Sequence, residues 1–113
     1  MVDDDAEFRR LARRVLADRR LTVIGEAADV VAALAAACRL KPAAILIDVD
    51  LTDGDGVALA RKLAALRWHP RVVLTSINAD ITTFEEARNA GAHAFVGKSD
   101  LPDAPWSRLL GAD

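Results

Sequence analysis

Cysteine occurs once, at Cys38, so no internal disulfide can form and no CxxC zinc or redox pair exists. Tyrosine is missing, and the aromatic side chains are only Phe8, Trp68, Phe84, Phe95 and Trp106. Alanine is abundant instead, with twenty-three copies, so aliphatic and alanine side chains must fill the core. No apolar run approaches the roughly 18 residues of a membrane span; the longest are 43–47 and 27–38, the second broken by Asp29. Neither charge is in excess: 15 basic against 17 acidic residues leave a net charge of -2. That balance argues against direct nucleic-acid binding and against an acidic disordered tail. The start, Met1-Val2-Asp3-Asp4-Asp5, is acidic at once, unlike a signal peptide. A soluble cytoplasmic domain is expected, with residues 1–113 forming one unit and no output domain.

What is present is alternation. Residues 6–19 carry Phe8, Leu11, Val15 and Leu16 at helical spacing, with Asp4 or Asp5 placed to cap them. LTVIG at 21–25 reads as a short strand, and 29–40 as an alanine-rich helix ending before Pro42, with Cys38 on its inner side. AAILID at 43–48 is an unbroken apolar run of the kind that suits a parallel strand buried on both faces. DVDLTDGDG at 48–56 reads as a loop, followed by a helix at 57–67, a strand at 71–76 and a helix at 80–91 with Ile81, Phe84 and Ala87 inward. A strand at 92–97 and a short helix near 105–111 complete the chain. Helix and strand in this order mean a parallel sheet covered by helices, an α/β, doubly wound fold.

In such sheets ligands sit beyond the carboxyl ends of the strands. Asp48 ends one strand, Thr75 and Ser76 another, and Lys98 follows a third. If Met1-Val2 is the tail of a further strand, Asp3 and Asp4 reach the same rim. Several carboxylates together repel unless a cation neutralises them, and an all-oxygen set suits Mg²⁺. An aspartate held in this way can attack phosphorus, and a hydroxyl and an ammonium can bind the transferring oxygens.

This set, with LTDGDG after Asp48, resembles the receiver domain of two-component response regulators. The phrases GEAADVVAAL, KPAAILIDVDL and ARNAGAHAFVGKS are most similar to receivers that precede LuxR-type DNA-binding domains. The resemblance implies a CheY-like (βα)5 fold with strand order 2-1-3-4-5. It implies that Asp48 accepts a phosphoryl group from a histidine kinase or phosphotransfer protein, and that the chain is not an enzyme with turnover of its own. Mg²⁺ would be held by Asp3, Asp4, Asp48 and the main-chain carbonyl of Asp50. Lys98 would pair with Asp48, Thr75 would bind the phosphoryl oxygens, and Thr75 and Phe95 would switch a partner face at 80–111. A homodimer is a further implied partner.

The sequence departs from that pattern at its start, where only Met1 and Val2 precede Asp3, leaving the first strand short or missing. A rearranged sheet, perhaps through a partner chain, is one expectation from this. Thr52 and Ser99 stand where prolines are usual in the family, and Asp50 adds a carboxylate. Asp48-Val49-Asp50-Leu51-Thr52 also resembles the DxDxT motif of haloacid-dehalogenase-type phosphatases, with Asp48 as nucleophile and Asp50 as acid/base. A degenerate receiver that binds a partner without phosphorylation is a third reading. A calcium loop fails, since counting from Asp48 puts Asp53 at the sixth position, where glycine is needed. Isolated His69 and His93 read as structural, and the arginines at 9, 10, 13, 14, 19 and 20 as a solvated helix face.

Overall fold

The computed structural model describes residues 1–78 and 80–111, and for 81–83 the backbone only. The elements are α1 (Ala6–Asp18), α2 (Val30–Leu40), β1 (Ala44–Asp48), β2 (Asp50–Leu51), β3 (Gly54–Asp55) and α3 (Gly56–Ala64). They continue with β4 (Arg71–Ser76), α4 (Ile81–Asn89), β5 (Ala94–Gly97), a 3-10 helix (Lys98–Asp103) and α5 (Trp106–Leu109). Asp5, rather than Asp4, caps α1, its carboxylate accepting from Glu7 N–H at 3.0 Å and Phe8 N–H at 3.3 Å. Asp4 is thereby left for the strand rim. Asp29 caps α2 in the same way through Ala32 N–H at 2.8 Å.

The strands β1, β4 and β5 form a parallel sheet in that order. Side chains alternate across a strand, and the two faces build two cores. Ile45, Ile47, Val72 and Leu74 face α2, α3 and α4, where Ala33, Ala37, Leu59, Leu63 and Ala87 meet them. Leu46, Val73 and Val96 face α1 and α5 and pack on Phe8, Ala12, Leu16, Leu101 and Trp106. Coverage on both faces is why AAILI and RVVL read as continuous apolar runs. Trp106 is fully buried, and its indole N–H donates to the Leu101 carbonyl at 2.6 Å.

Several expectations need correction. Residues 21–25 form no ladder strand, because their neighbour in the sheet is too short to pair with them. That neighbour is Val2, which makes single parallel bridges to Ala27 and Ile47. Position 2-1-3-4-5 is therefore kept, with the first strand reduced to a few residues, and the sheet is not rearranged. The 48–56 segment contains a two-stranded hairpin, β2–β3, within the expected loop. The 3-10 helix after β5 was not anticipated, since Pro102 lies inside it. Phe84 is 51% exposed rather than inward, and Cys38 is exposed on α2. Ile81, also expected inward, has a side chain outside the described residues.

Replacing the buried indole in Trp106→Ala is expected to cost about 3–5 kcal/mol of stability. Urea unfolding followed by circular dichroism measures it.

Candidate functional site

The parallel register sets Asp48 directly opposite Thr75, and Thr75 opposite Val96, two residues before Lys98. Three residues far apart in sequence thus share one rim because three strands end level. Met1–Asp3 brings the remaining acids there: Val2 N–H donates to the Leu46 carbonyl at 2.7 Å, and Asp48 N–H to the Val2 carbonyl at 2.9 Å. On the other side Asp3 N–H donates to the Ala27 carbonyl at 3.0 Å. Even two residues of strand, bonded on both sides, are enough to place Asp3 and Asp4.

At the centre, the Lys98 ammonium lies 2.8 Å from Asp3 Oδ2 and 3.3 Å from Asp48 Oδ2. It also stands 4.2 Å from the centroid of the Phe8 ring, in cation–π contact. Asp3 and Asp48 are both buried. Asp3 Oδ1 accepts the Asp5 N–H at 2.9 Å, whereas Asp3 Oδ2 touches the ammonium without a well-angled hydrogen bond. Asp48 Oδ1 accepts the Asp50 N–H at 3.1 Å. Burial pushes the Asp48 carboxyl above its usual pKa; the Asp50 N–H opposes this, Asp3 adds to it, and Lys98 pulls back. Burial pulls the Lys98 ammonium the other way, but its bonds and charge interactions with Asp3 and Asp48 outweigh it and the pKa ends raised.

Carboxylate oxygens of Asp3, Asp4 and Asp48 can lie within 4.8 Å of one another. Lys98 pairs with two of these three carboxylates, Asp3 and Asp48, and Asp3 Oδ2 meets it as an ion pair only. An all-oxygen, net negative cluster of this kind fits a hard divalent cation. The Asp50 side chain is exposed and does not join the cluster. Its expected contribution was the main-chain carbonyl, and the hairpin is compatible with that: Gly56 N–H donates to the Val49 carbonyl at 3.0 Å. The alternation of an antiparallel ladder then leaves the Asp50 carbonyl outside it.

Thr75 is buried, and among the described residues its hydroxyl reaches the Ile47 carbonyl, at 3.5 Å. Phe95 is half-buried against the α2–α4 core. Two contributors escaped the sequence reading. Phe8 read as ordinary helix core, and nothing in its spacing shows that its ring lies against Lys98. Gly56 read as a turn residue, yet a Cβ there would stand 2.0 Å from the Asp48 carbonyl oxygen. The start of α3 can therefore press against the Asp48 main chain only with glycine at this place. Of the arginines, Arg9 and Arg13 pair with Glu26 and are not simply solvated. His93 is structural as expected, its Nδ1 accepting the Val72 N–H at 3.1 Å.

Residues 1–104 match the family described as the response regulator receiver domain. A curated relative, protein-glutamate methylesterase/protein-glutamine glutaminase 4 of Myxococcus xanthus (strain DK1622), is 36% identical over 107 residues, covering 93% of this chain and 30% of that protein. The chain spans about a third or less of the curated relatives it matches. Among solved structures, a LuxR-family two-component response regulator from Aurantimonas sp. SI85-9A1 superposes with a TM-score of 0.82 at 26% identity, over 97% of this chain and 82% of that one. The signal receiver domain of the putative response regulator NarL from Mycobacterium tuberculosis gives 0.81 at 28% identity, over 98% and 87%.

An acid whose pKa is raised by folding binds more protons folded than unfolded, so stability falls as pH climbs from its ordinary 3.8 through the raised value. In metal-free protein, Asp48→Asn is expected to remove this loss, so its advantage over the wild type widens between pH 4 and pH 7, as urea midpoints at ~4 and ~7 would show. Gly56→Ala is expected to lower the melting temperature and weaken divalent-cation binding together, because the new methyl displaces the Asp48 main chain; calorimetry measures both.

Proposed function

Because the chain belongs to the family of response regulator receiver domains, we propose that it is a phosphoacceptor switch whose acceptor is Asp48. The observation that carries this reading is the single ammonium of Lys98 set between Asp3 and Asp48 at the strand ends. One Asp48 carboxylate oxygen attacks the phosphorus of a phosphohistidine on a histidine kinase or phosphotransfer protein. An O–P bond forms as the N–P bond breaks, and the imidazole nitrogen keeps the electron pair and takes up a proton. Mg²⁺, held by Asp3, Asp4, Asp48 and the Asp50 carbonyl, supplies charge neutralisation for the phosphoryl oxygens when bound. Lys98 meets the charge developing on those oxygens from the opposite side.

The acyl phosphate then adds charge and acceptor oxygens where a neutral-to-anionic carboxyl stood. Thr75 exchanges its long contact to the Ile47 carbonyl for a phosphoryl oxygen, a stronger, charge-assisted bond. Its inward movement leaves room for half-buried Phe95, and the change is read on the face at 80–111, where Phe84 is exposed. Such differential contacts are what a two-state switch requires. The names of the relatives differ, protein-glutamate methylesterase/protein-glutamine glutaminases on one side and a LuxR-family response regulator on the other. For this chain the reading is a protein partner or a second copy, in the cytoplasm, with no direct contact to nucleic acid. Among the described residues no helix is long and apolar enough to cross a membrane.

The phosphatase reading needs Asp50 as acid/base beside Asp48, and the exposed Asp50 side chain outside the acid cluster does not favour it. The phosphorylation-independent reading expected the short start to disable the pocket, and the assembled Asp3–Lys98–Asp48 triad argues for a working one.

Intact mass after incubation with Mg²⁺ and a small-molecule phosphodonor is expected to show one added phosphoryl group, lost on chelation and in Asp48→Ala. Lys98→Ala is expected to slow the reaction about 100-fold or more. Multiple turnover on phosphate esters would overturn the switch in favour of the phosphatase.

A further inference from the structure

Among the described residues the Lys98 ammonium is met from three directions, and only two of them carry charge. Asp3 Oδ2 stands at 2.8 Å and Asp48 Oδ2 at 3.3 Å. The third neighbour is the face of the Phe8 ring, its centroid 4.2 Å from the nitrogen. A lysine side chain has much rotamer freedom to lose when it is held in one place. Two carboxylates alone let an ammonium settle on the nearer one, here Asp3, and away from Asp48. A third contact turns an arc of positions into a single one.

The ring is placed by the same turn that places Asp3. Asp5 N–H donates to Asp3 Oδ1 at 2.9 Å, and Asp5 Oδ1 in turn accepts the Phe8 N–H at 3.3 Å. Behind the ring lies the core of Leu46, Val73, Val96, Leu101 and Trp106, and Phe8 is 9% exposed. Acid and ring therefore reach Lys98 from one short stretch, residues 3–8, while Asp48 reaches it from β1. Filling that core calls for apolar volume, not for an aromatic face. An aromatic face adds what an aliphatic side chain lacks: its quadrupole attracts a cation, most strongly where water is excluded. It also differs from a further acid. A carboxylate in its place would occupy one of the ammonium's three N–H donors and neutralise more of its charge, whereas the ring leaves both for an incoming anion.

We propose that Phe8 is a positioning residue of this site, its ring holding the Lys98 ammonium within reach of Asp48 while leaving charge and donors available to phosphoryl oxygens. What Lys98 is positioned to do rests on the phosphoacceptor reading given above. The ring itself touches no reacting atom and acts through the ammonium alone.

The test is a series in which position 8 of the full chain carries phenylalanine with one, two and three ring fluorines. Fluorination drains the negative face of the ring with little change of shape, so the core stays filled while the pull on the ammonium falls step by step. In the wild type the Lys98 methylene beside the nitrogen is expected to show a ring-shifted proton resonance and a nuclear Overhauser contact to the Phe8 ring, both weakening along the series. The rate of Asp48 phosphorylation by a small-molecule phosphodonor with Mg²⁺ is expected to fall in the same order, by about tenfold at three fluorines, at an unchanged urea midpoint. In a Lys98→Ala chain the same rings are expected to cause no further slowing. Rates that stay flat along the series, equal slowing in the Lys98→Ala chain, or a wild type in which Lys98 shows neither signal would each overturn the proposal. A wild type that takes no phosphoryl group is instead a failure of the phosphoacceptor reading. The Lys98 signals then decide the role of the ring by themselves: stepwise loss supports it, and constancy overturns it.

Discussion

Two buried carboxylates share one ammonium, and the rest of the site is arranged around that imbalance. Lys98 alone faces Asp3 and Asp48, with Asp4 close enough to join them. Taking charges out of water is costly unless they are paired and hydrogen-bonded. Here one ammonium serves both: Asp3 Oδ2 meets it as an ion pair at 2.8 Å without a well-angled hydrogen bond, and burial holds the Asp48 carboxyl above its usual pKa. A structure that holds excess negative charge in a dry place is poised to gain from a cation and from conversion of one carboxylate into something else. In the proposed reading the same imbalance would underlie metal affinity, acceptor reactivity and the capacity to switch.

The sheet is what makes this tension tolerable. β1 and β4 are buried on both faces, and their alternating side chains feed two separate cores. Three aromatic residues, Phe8, Phe95 and Trp106, pack in these cores beside small alanines such as Ala12, Ala33, Ala37 and Ala60. Such packing fixes the strand ends to a register that a single slipped residue would destroy, since slippage also turns every side chain to the wrong face. Gly56 belongs to the same logic: α3 begins so near Asp48 that no side chain fits between them. Asp53 adds a tether from the hairpin tip, accepting the Val30 N–H at 2.8 Å and so joining the segment after the acceptor to the start of α2.

The weakest part of the sheet lies beside its most demanding residues. Met1–Asp3 carries one acid of the cluster and leads directly into the second, Asp4, with Val2 making one bridge on each side. Its bonds to Ala27, Leu46 and Asp48 hold the acid end in place.

Much of this was legible in the sequence. Period and punctuation placed the helices and the three long strands, because apolar runs and Asp or Pro boundaries are local signals. The rule that ligands sit beyond strand ends picked out Asp48, Thr75, Ser76 and Lys98, and Asp3 and Asp4 on the condition that Met1-Val2 ends a strand; the match to a family pattern added Asp50 and the roles. Local signals failed where a neighbour decides: LTVIG has every mark of a strand but lacks a partner to bond, Phe84 has helical spacing yet faces solvent, and Cys38 lies outside the core. The Phe8 ring beneath Lys98 and the close approach that requires Gly56 are contacts between segments remote in sequence. Composition and order determined which residues meet at the rim; only tertiary packing decided the distances between them, because those depend on register and on which remote segments pack side by side.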